Sequence, residues 1–210
     1  MTDIMSSEIK KVPYQNSDFP GRHNLDARWE LIENILPKES NWFLDIGSNN
    51  ADTLKRLTAK GHFGVGLEVD KDAAAKTLPD NAAMMITEVN AETFVRIPRF
   101  FGVFLLSVFH RIWALQGPDS AKDVLKAAGE NSDFLIMEGC SRHARYTNKS
   151  TSPAPEFTDM NIQDSMKWHI NLLTTLIPGS SVSFIGVTKT VKTNDPRPLF
   201  AIKTNSGKMT

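Results

Sequence analysis

The 210-residue chain has a single cysteine, Cys140, no net charge and no apolar run long enough to cross a bilayer. One thiol excludes an internal disulfide framework. An N-terminus without the apolar core of a signal peptide adds the expectation of a reducing, cytoplasmic setting. The 24 basic residues are balanced by 24 acidic ones. That balance argues against DNA as a partner, because holding a nucleic-acid backbone draws its affinity from an excess of Lys and Arg. The longest apolar stretch, FFGVFLLSVF, has the length of a buried strand and falls short of the ~18 residues a membrane span requires. No membrane partner is expected.

What is present is ordinary: 40% hydrophobic and 23% charged residues, in a chain long enough to bury roughly 70% of its unfolded surface without disulfide or metal. One domain is expected over 25–210, preceded by a polar arm or lid over 1–24 that carries Pro13 and Pro20. A loop-like insertion with two prolines occupies about 139–160, and loops of that length inside compact domains are usually functional.

Two periodicities alternate along the domain. DARWELIENILP places Trp29, Ile32, Ile35 and Leu36 along one helical face, with Pro37 as its stop. Short apolar runs at Phe43 to Ile46, HFGVGLEV, Ala83 to Ile86, Gly102 to Val108 and Phe134 to Met137 read as strands, with Met84 and Met85 as core residues. Helical spacing links Ala51, Leu54 and Leu57, then Val124, Leu125 and Ala128, and Asp70 is placed to cap a short Ala-rich helix through Lys76. A long helix is expected around Ile162 to Ile177, followed by strands at Val182 to Thr188 and Leu199 to Lys203 joined at Asn194-Asp195-Pro196. Strands apolar on both faces between amphipathic helices imply an α/β, doubly wound, mostly parallel seven-stranded sheet. Helices cover both faces, and an antiparallel C-terminal hairpin closes it.

In such folds ligands sit at the carboxyl ends of the strands. The segment NWFLDIGSNNADTLKRL supplies a strand, a turn at Gly47 and a helix start. A dinucleotide fingerprint needs glycine at three positions that are here Gly47, Asn49 and Asp52, so two glycines are missing. Asp52 would also set negative charge near a pyrophosphate. A nicotinamide or flavin dinucleotide is therefore disfavoured. S-adenosylmethionine carries no phosphate, and its ammonium and sulfonium favour a nearby carboxylate such as Asp45. Glu68, at the end of the second strand, is placed to accept hydrogen bonds from the two ribose hydroxyls.

These residues resemble the class I S-adenosylmethionine-dependent methyltransferases, a Rossmann-like family, from about Trp42 to Lys203. Asp45-Ile46-Gly47 matches the first motif, Glu68 in GVGLEVD the acidic tip, and Asn90 in EVNAETF the position that touches adenine. FLLSVFHRIW matches the segment that flanks the substrate opening, and RPLFAIK the closing strand. Asn49 and Ala51 stand where glycines are common, and Asn90 where an acid is usual. The resemblance implies a cofactor site made of Asp45, Gly47, Ser48, Asn49, Asn50, Glu68, Val69, Asn90, Ala91 and Ser107.

Methyl transfer from a sulfonium is an in-line displacement, so the protein chiefly holds the nucleophile and the methyl in place, and no metal is obligatory. His110 is the candidate base for a neutral acceptor, its other reading being a turn cap or a packing partner of Trp113. Phe109, Ile112 and Trp113 read as packing before pocket lining, and Glu138, at the tip of the fifth strand, as a solvated carboxylate before one that faces the active site. Ser107 either touches the cofactor or ends its strand. Arg142, His143, Arg145 and Tyr146 in the insertion, with Arg22 from the arm, are candidates for binding an anionic acceptor, and His23 and Arg28 for lid contacts. The expected activity is O-methylation of a small hydroxylated or anionic molecule. Methylation of a phosphorylated glycan or RNA end, or an inactive cofactor-binding partner protein, are the alternatives.

Overall fold

The computed structural model describes residues 25–139, 160–189 and 196–204. The 1–24 arm, most of the 139–160 insertion, and with them Arg22, His23, Cys140, Arg142, His143, Arg145 and Tyr146, lie outside the described residues. In chain order the elements are α1 (Leu25–Glu33), β1 (Trp42–Ile46), α2 (Asp52–Ala59), β2 (Phe63–Glu68), β3 (Ala82–Ile86), α3 (Ala91–Arg96) and β4 (Phe100–Leu105). They continue with α4 (Phe109–Gln116), α5 (Pro118–Glu130), β5 (Ser132–Glu138), α6 (Ile162–Leu176), β6 (Ser181–Lys189) and β7 (Pro196–Lys203).

The seven strands form one sheet in the order β3-β2-β1-β4-β5-β7-β6. The first five are parallel, and β7 enters antiparallel between β5 and β6. This is the expected sheet, hairpin included. The order reverses between β1 and β4, the switch point outside which open α/β sheets bind their ligands.

Side chains alternate across each strand, so each face has its own core. On one face Trp29 and Ile32 of α1 and Leu54 and Leu57 of α2 pack on Phe43, Phe104, Ile136 and Leu199. On the other, Leu44, Val103, Leu135 and Phe200 meet Phe94 of α3, Trp113 of α4, Val124 and Leu125 of α5 and Leu173 of α6. Phe109, Ile112 and Trp113 belong to this second core, as the packing reading expects. No helix among the described residues is long and apolar enough to cross a membrane.

Several local expectations are corrected. No helix forms over 71–76. Asp70 instead accepts from the Asp72 and Ala73 amides in an Asx-type turn, and Ala75 N donates to Asn49 O, which ties the segment to the loop after β1. Met85 and Ile86 are about half exposed because β3 is the sheet's edge strand, while Met84 packs beneath α2. The first helix stops at Glu33, and Ile35 lies beyond it at the surface. The fourth strand stops at Leu105 because Ser107 turns to φ 60° and α4 begins at Phe109. Two further helices are present: α4, and α3, whose Asn90 and Thr93 form a reciprocal capping box.

The sheet is close-packed where helices cross it. A Cβ added at Gly102 in β4 would lie 2.5 Å from the ring of buried Phe43. The ring is fully buried against His62, Phe101 and Phe104, so Gly102→Ala is expected to lose about 1–3 kcal/mol in urea unfolding.

Candidate functional site

By alternation, the face of the sheet covered by α1 and α2 ends on a carboxylate in three parallel strands. Asp45 follows Phe43 in β1, Glu68 follows Gly66 in β2, and Glu138 follows Ile136 in β5. All three are buried, at 3%, 2% and 0% exposure, so each must find partners or lose its charge.

Glu68 finds backbone donors. Its Oε2 accepts from Asn49 N at 2.9 Å, and its Oε1 accepts from Val69 N at 2.9 Å and Asp70 N at 3.0 Å. Three of its roughly four lone-pair positions are thus occupied. The expected pair of ribose hydrogen bonds is reduced to room for one, on Oε2. These contacts pin the loop after β1 to the tip of β2. Gly47 and Ser48 reinforce them by donating their amides to Leu67 O.

The pinned loop turns through left-handed backbone at alternate residues, with φ of 73° at Gly47, 48° at Asn49 and 63° at Ala51. A side chain at Gly47 would also meet Val108 at 3.0 Å. Asn49 and Ala51 therefore occupy positions that call for glycine on conformational grounds. Ser48 is buried over Gly66, and Asn50 faces solvent.

Glu138 is not the solvated carboxylate that the sequence suggests. Arg28 Nη1 of α1 lies 3.2 Å from its Oε2, the Ser107 hydroxyl donates to the same oxygen, and the Thr188 hydroxyl of β6 donates to Oε1 at 2.9 Å. Arg28 is itself 8% exposed, so the ion pair is buried and hydrogen-bonded at both oxygens. Arg28 is no loose lid contact. It fixes α1 across the tips of β4 and β5, beside Asp52 and Thr53 at the start of α2.

Among the described residues Asp45 accepts no backbone hydrogen bond and forms no ion pair, although Arg28, Ser48 and Thr53 lie close enough to favour its charge. Burial pushes its pKa from 3.8 to about 7, against the nearby Ser48 hydroxyl and the Arg28 guanidinium, which favour the charged form. The Ser48 hydroxyl lies near the carboxyl but makes no hydrogen bond of good geometry with it. Glu68 adds repulsion that raises the value further.

The remaining predicted residues lie around this edge in different roles. Val69 is exposed beside Glu68, and Asn90 spends its side-chain oxygen on capping α3, with Ala91 as the first residue of that helix. The Ser107 hydroxyl donates to Glu138. His110 lies buried in the first turn of α4. Thr188, Arg28 as a buried partner, and Arg197 of β7, which is 7% exposed, are additions the sequence reading missed. Alternation alone places Arg197 on the face of Leu199, and that was the available signal.

Solved structures share this architecture. The bifunctional kinase-methyltransferase WbdD matches with a TM-score of 0.63 at 19% identity, over 86% of this chain and 40% of that one, so the chain spans about two fifths of WbdD. Magnesium protoporphyrin IX methyltransferase ChlM from Synechocystis PCC 6803, with bound SAH, matches at 0.57 and 12% identity, covering 86% of this chain and 80% of that one. The methyltransferase domain of the bacterial protein CtHen1-C matches at 0.58 and 12%, over 86% and 96% of the two chains. No protein-family model and no curated protein sequence matches. The chain has the class I S-adenosylmethionine-dependent methyltransferase fold.

Removing Arg28 leaves a buried carboxylate without its counter-charge, and Arg28→Ala is expected to cost about 3–5 kcal/mol in urea unfolding. Asp45 acts through pH. Below 3.8 it is protonated in the folded and unfolded chain alike, and as pH rises through about 7 the unfolded chain ionises first, so stability is lost. His169 of α6, whose pKa burial lowers from 6.5 to about 4, works the other way, and its contribution is lost as pH falls from 6.5 through 4. Asp45→Asn removes the first trend alone. The ligand-free variant should gain about 1–3 kcal/mol on the wild type between about pH 5 and about pH 8. A gap that stays constant over that range would mean Asp45 is charged throughout.

Proposed function

We propose that the chain is an S-adenosylmethionine-dependent methyltransferase that methylates an oxygen of a small hydroxylated or anionic acceptor. The observation that carries this reading is the pairing of Asp45 and Glu68 on either side of the left-handed turn at Gly47, at the point where the strand order reverses. The likeness to ChlM, crystallised with SAM and with SAH, supports the same cofactor here.

The residues fit that group. Gly47 holds a left-handed turn at the tip of β1 that a side chain would strain, Glu68 keeps one acceptor position for a ribose hydroxyl, and Asp45 lacks a strong cationic partner of its own. When bound, the cofactor supplies a methyl group already activated on a sulfonium. A cation near Asp45 favours its ionised form, so binding draws a proton from Asp45 and strengthens as pH rises toward and through about 7. The buried ion pair of Arg28 and Glu138 holds α1 over the strand tips, which keeps water from that side of the crevice. For a neutral hydroxyl, His110 is the proposed base, and an acceptor that is already an oxyanion needs none. Arg142, His143, Arg145, Tyr146 and Arg22 remain the proposed contacts to the acceptor from the insertion and the arm.

Calorimetry with S-adenosylmethionine on the full chain tests the reading. Asp45→Ala and Glu68→Gln are each expected to weaken binding about tenfold or more while circular dichroism stays native. His110→Ala is expected to retain affinity and slow methyl transfer in a screen over hydroxylated and phosphorylated metabolites. Unchanged affinity in both acid variants would remove the site from these strand tips.

A further inference from the structure

Arg197 is the second residue of β7, at the carboxyl edge of the sheet beside the tip of β5. Glu138 is in register with Leu199, and Gly139 N donates to Pro198 O at 2.7 Å. Across the other side, Arg197 is in register with Thr188, whose hydroxyl donates to Glu138. Arg197 is therefore a neighbour of the buried acidic cluster and shares its face of the sheet.

Its guanidinium is buried, yet Nε and Nη1 have no hydrogen-bond partner among the described residues. Nor does any described carboxylate pair with it. Glu138 is taken by Arg28, Ser107 and Thr188, Glu68 by three backbone amides, and the burial-raised pKa of Asp45 keeps much of its charge neutralised near pH 7. A buried Lys or Asp in this position would escape by changing its protonation. Arginine stays charged at any pH a folded protein meets, so among the described residues this positive charge is uncompensated. Such a charge is costly unless an anion joins it.

We propose that Arg197 binds an oxyanion, a phosphate or carboxylate group carried by the acceptor. That the anion belongs to the acceptor rests on the methyltransferase reading, and the existence of the anion site does not. A planar guanidinium with two free nitrogens suits either group. Its place at the strand ends between β5 and β6 holds the anion on the side of Ser107 and Glu138, across β4 and β5 from the loop that carries Gly47.

The test titrates the full chain calorimetrically with inorganic phosphate and, separately, with acetate, in wild type, Arg197→Gln and Arg197→Lys. Wild type should bind one anion, Arg197→Gln about tenfold or more weakly, and Arg197→Lys in between. Tighter phosphate marks a phosphorylated acceptor, and tighter acetate a carboxylated one. S-adenosylmethionine affinity should be the same in wild type and Arg197→Gln. Equal anion binding by wild type and Arg197→Gln, or none by wild type, overturns the site. If wild type binds the anion through Arg197 but never binds S-adenosylmethionine, the site stands and the methyltransferase reading falls. Thermal unfolding adds a readout that a structural role would not move. In anion-free buffer Arg197→Met should melt higher than wild type, and phosphate should raise the wild-type Tm alone. A lower Tm for Arg197→Met in that buffer would mean the guanidinium is already paired, and would also overturn the proposal.

Discussion

A carboxylate that ends an apolar face of a sheet has three ways to exist: backbone donors, a buried counter-charge, or a proton. This chain uses each once, at Glu68, Glu138 and Asp45. The choice at each tip shapes what surrounds it. Donors for Glu68 force the loop after β1 against β2. The counter-charge for Glu138 comes from α1, more than a hundred positions away in sequence, and locks that helix over the strand ends. The proton on Asp45 leaves one of the three acids able to answer a cation.

These solutions come at different energetic risk. Hydrogen bonds from amides fixed by the fold need no long side chain to be ordered. The pair of Arg28 and Glu138 needs both partners, because removing either strands a buried charge. Arg28, Arg197 and Glu138 stand on one side of the point where the strand order reverses, and Asp45 and Glu68 on the other. Unlike groups on the two sides of that point suit two ligands of opposite charge better than one.

Much of this was legible in the sequence because it depends on local period. The five parallel strands, the edge hairpin, Asp45 and Glu68 at their tips, and the turn at Gly47 all follow from short runs of residues. What was not legible depends on partners far apart. Glu138 reads as solvated since nothing near it in sequence announces Arg28, Ser107 or Thr188. Met85 reads as core since its run does not reveal that β3 lies at the sheet's edge. The expected helix after Asp70 failed because the Asp70 carboxylate captured the Asp72 and Ala73 amides locally, and Ala75 bonded across to Asn49. For α3 and α4 the signals are local: the capping box at Asn90 and the spacing of Phe109, Ile112 and Trp113.

Among the described residues, the non-glycine positions with left-handed backbone are Asn49, Ala51 and Ser107, and all of them stand where β1 or β4 gives way to a helix. Each carries a torsional penalty of about 1–2 kcal/mol that glycine would avoid. A glycine in their place would also let the segment sample other shapes before a ligand arrived. By keeping side chains there, the chain accepts a less comfortable backbone in exchange for a narrower ensemble at the edge of the crevice, so little ordering entropy is left for a ligand to overcome.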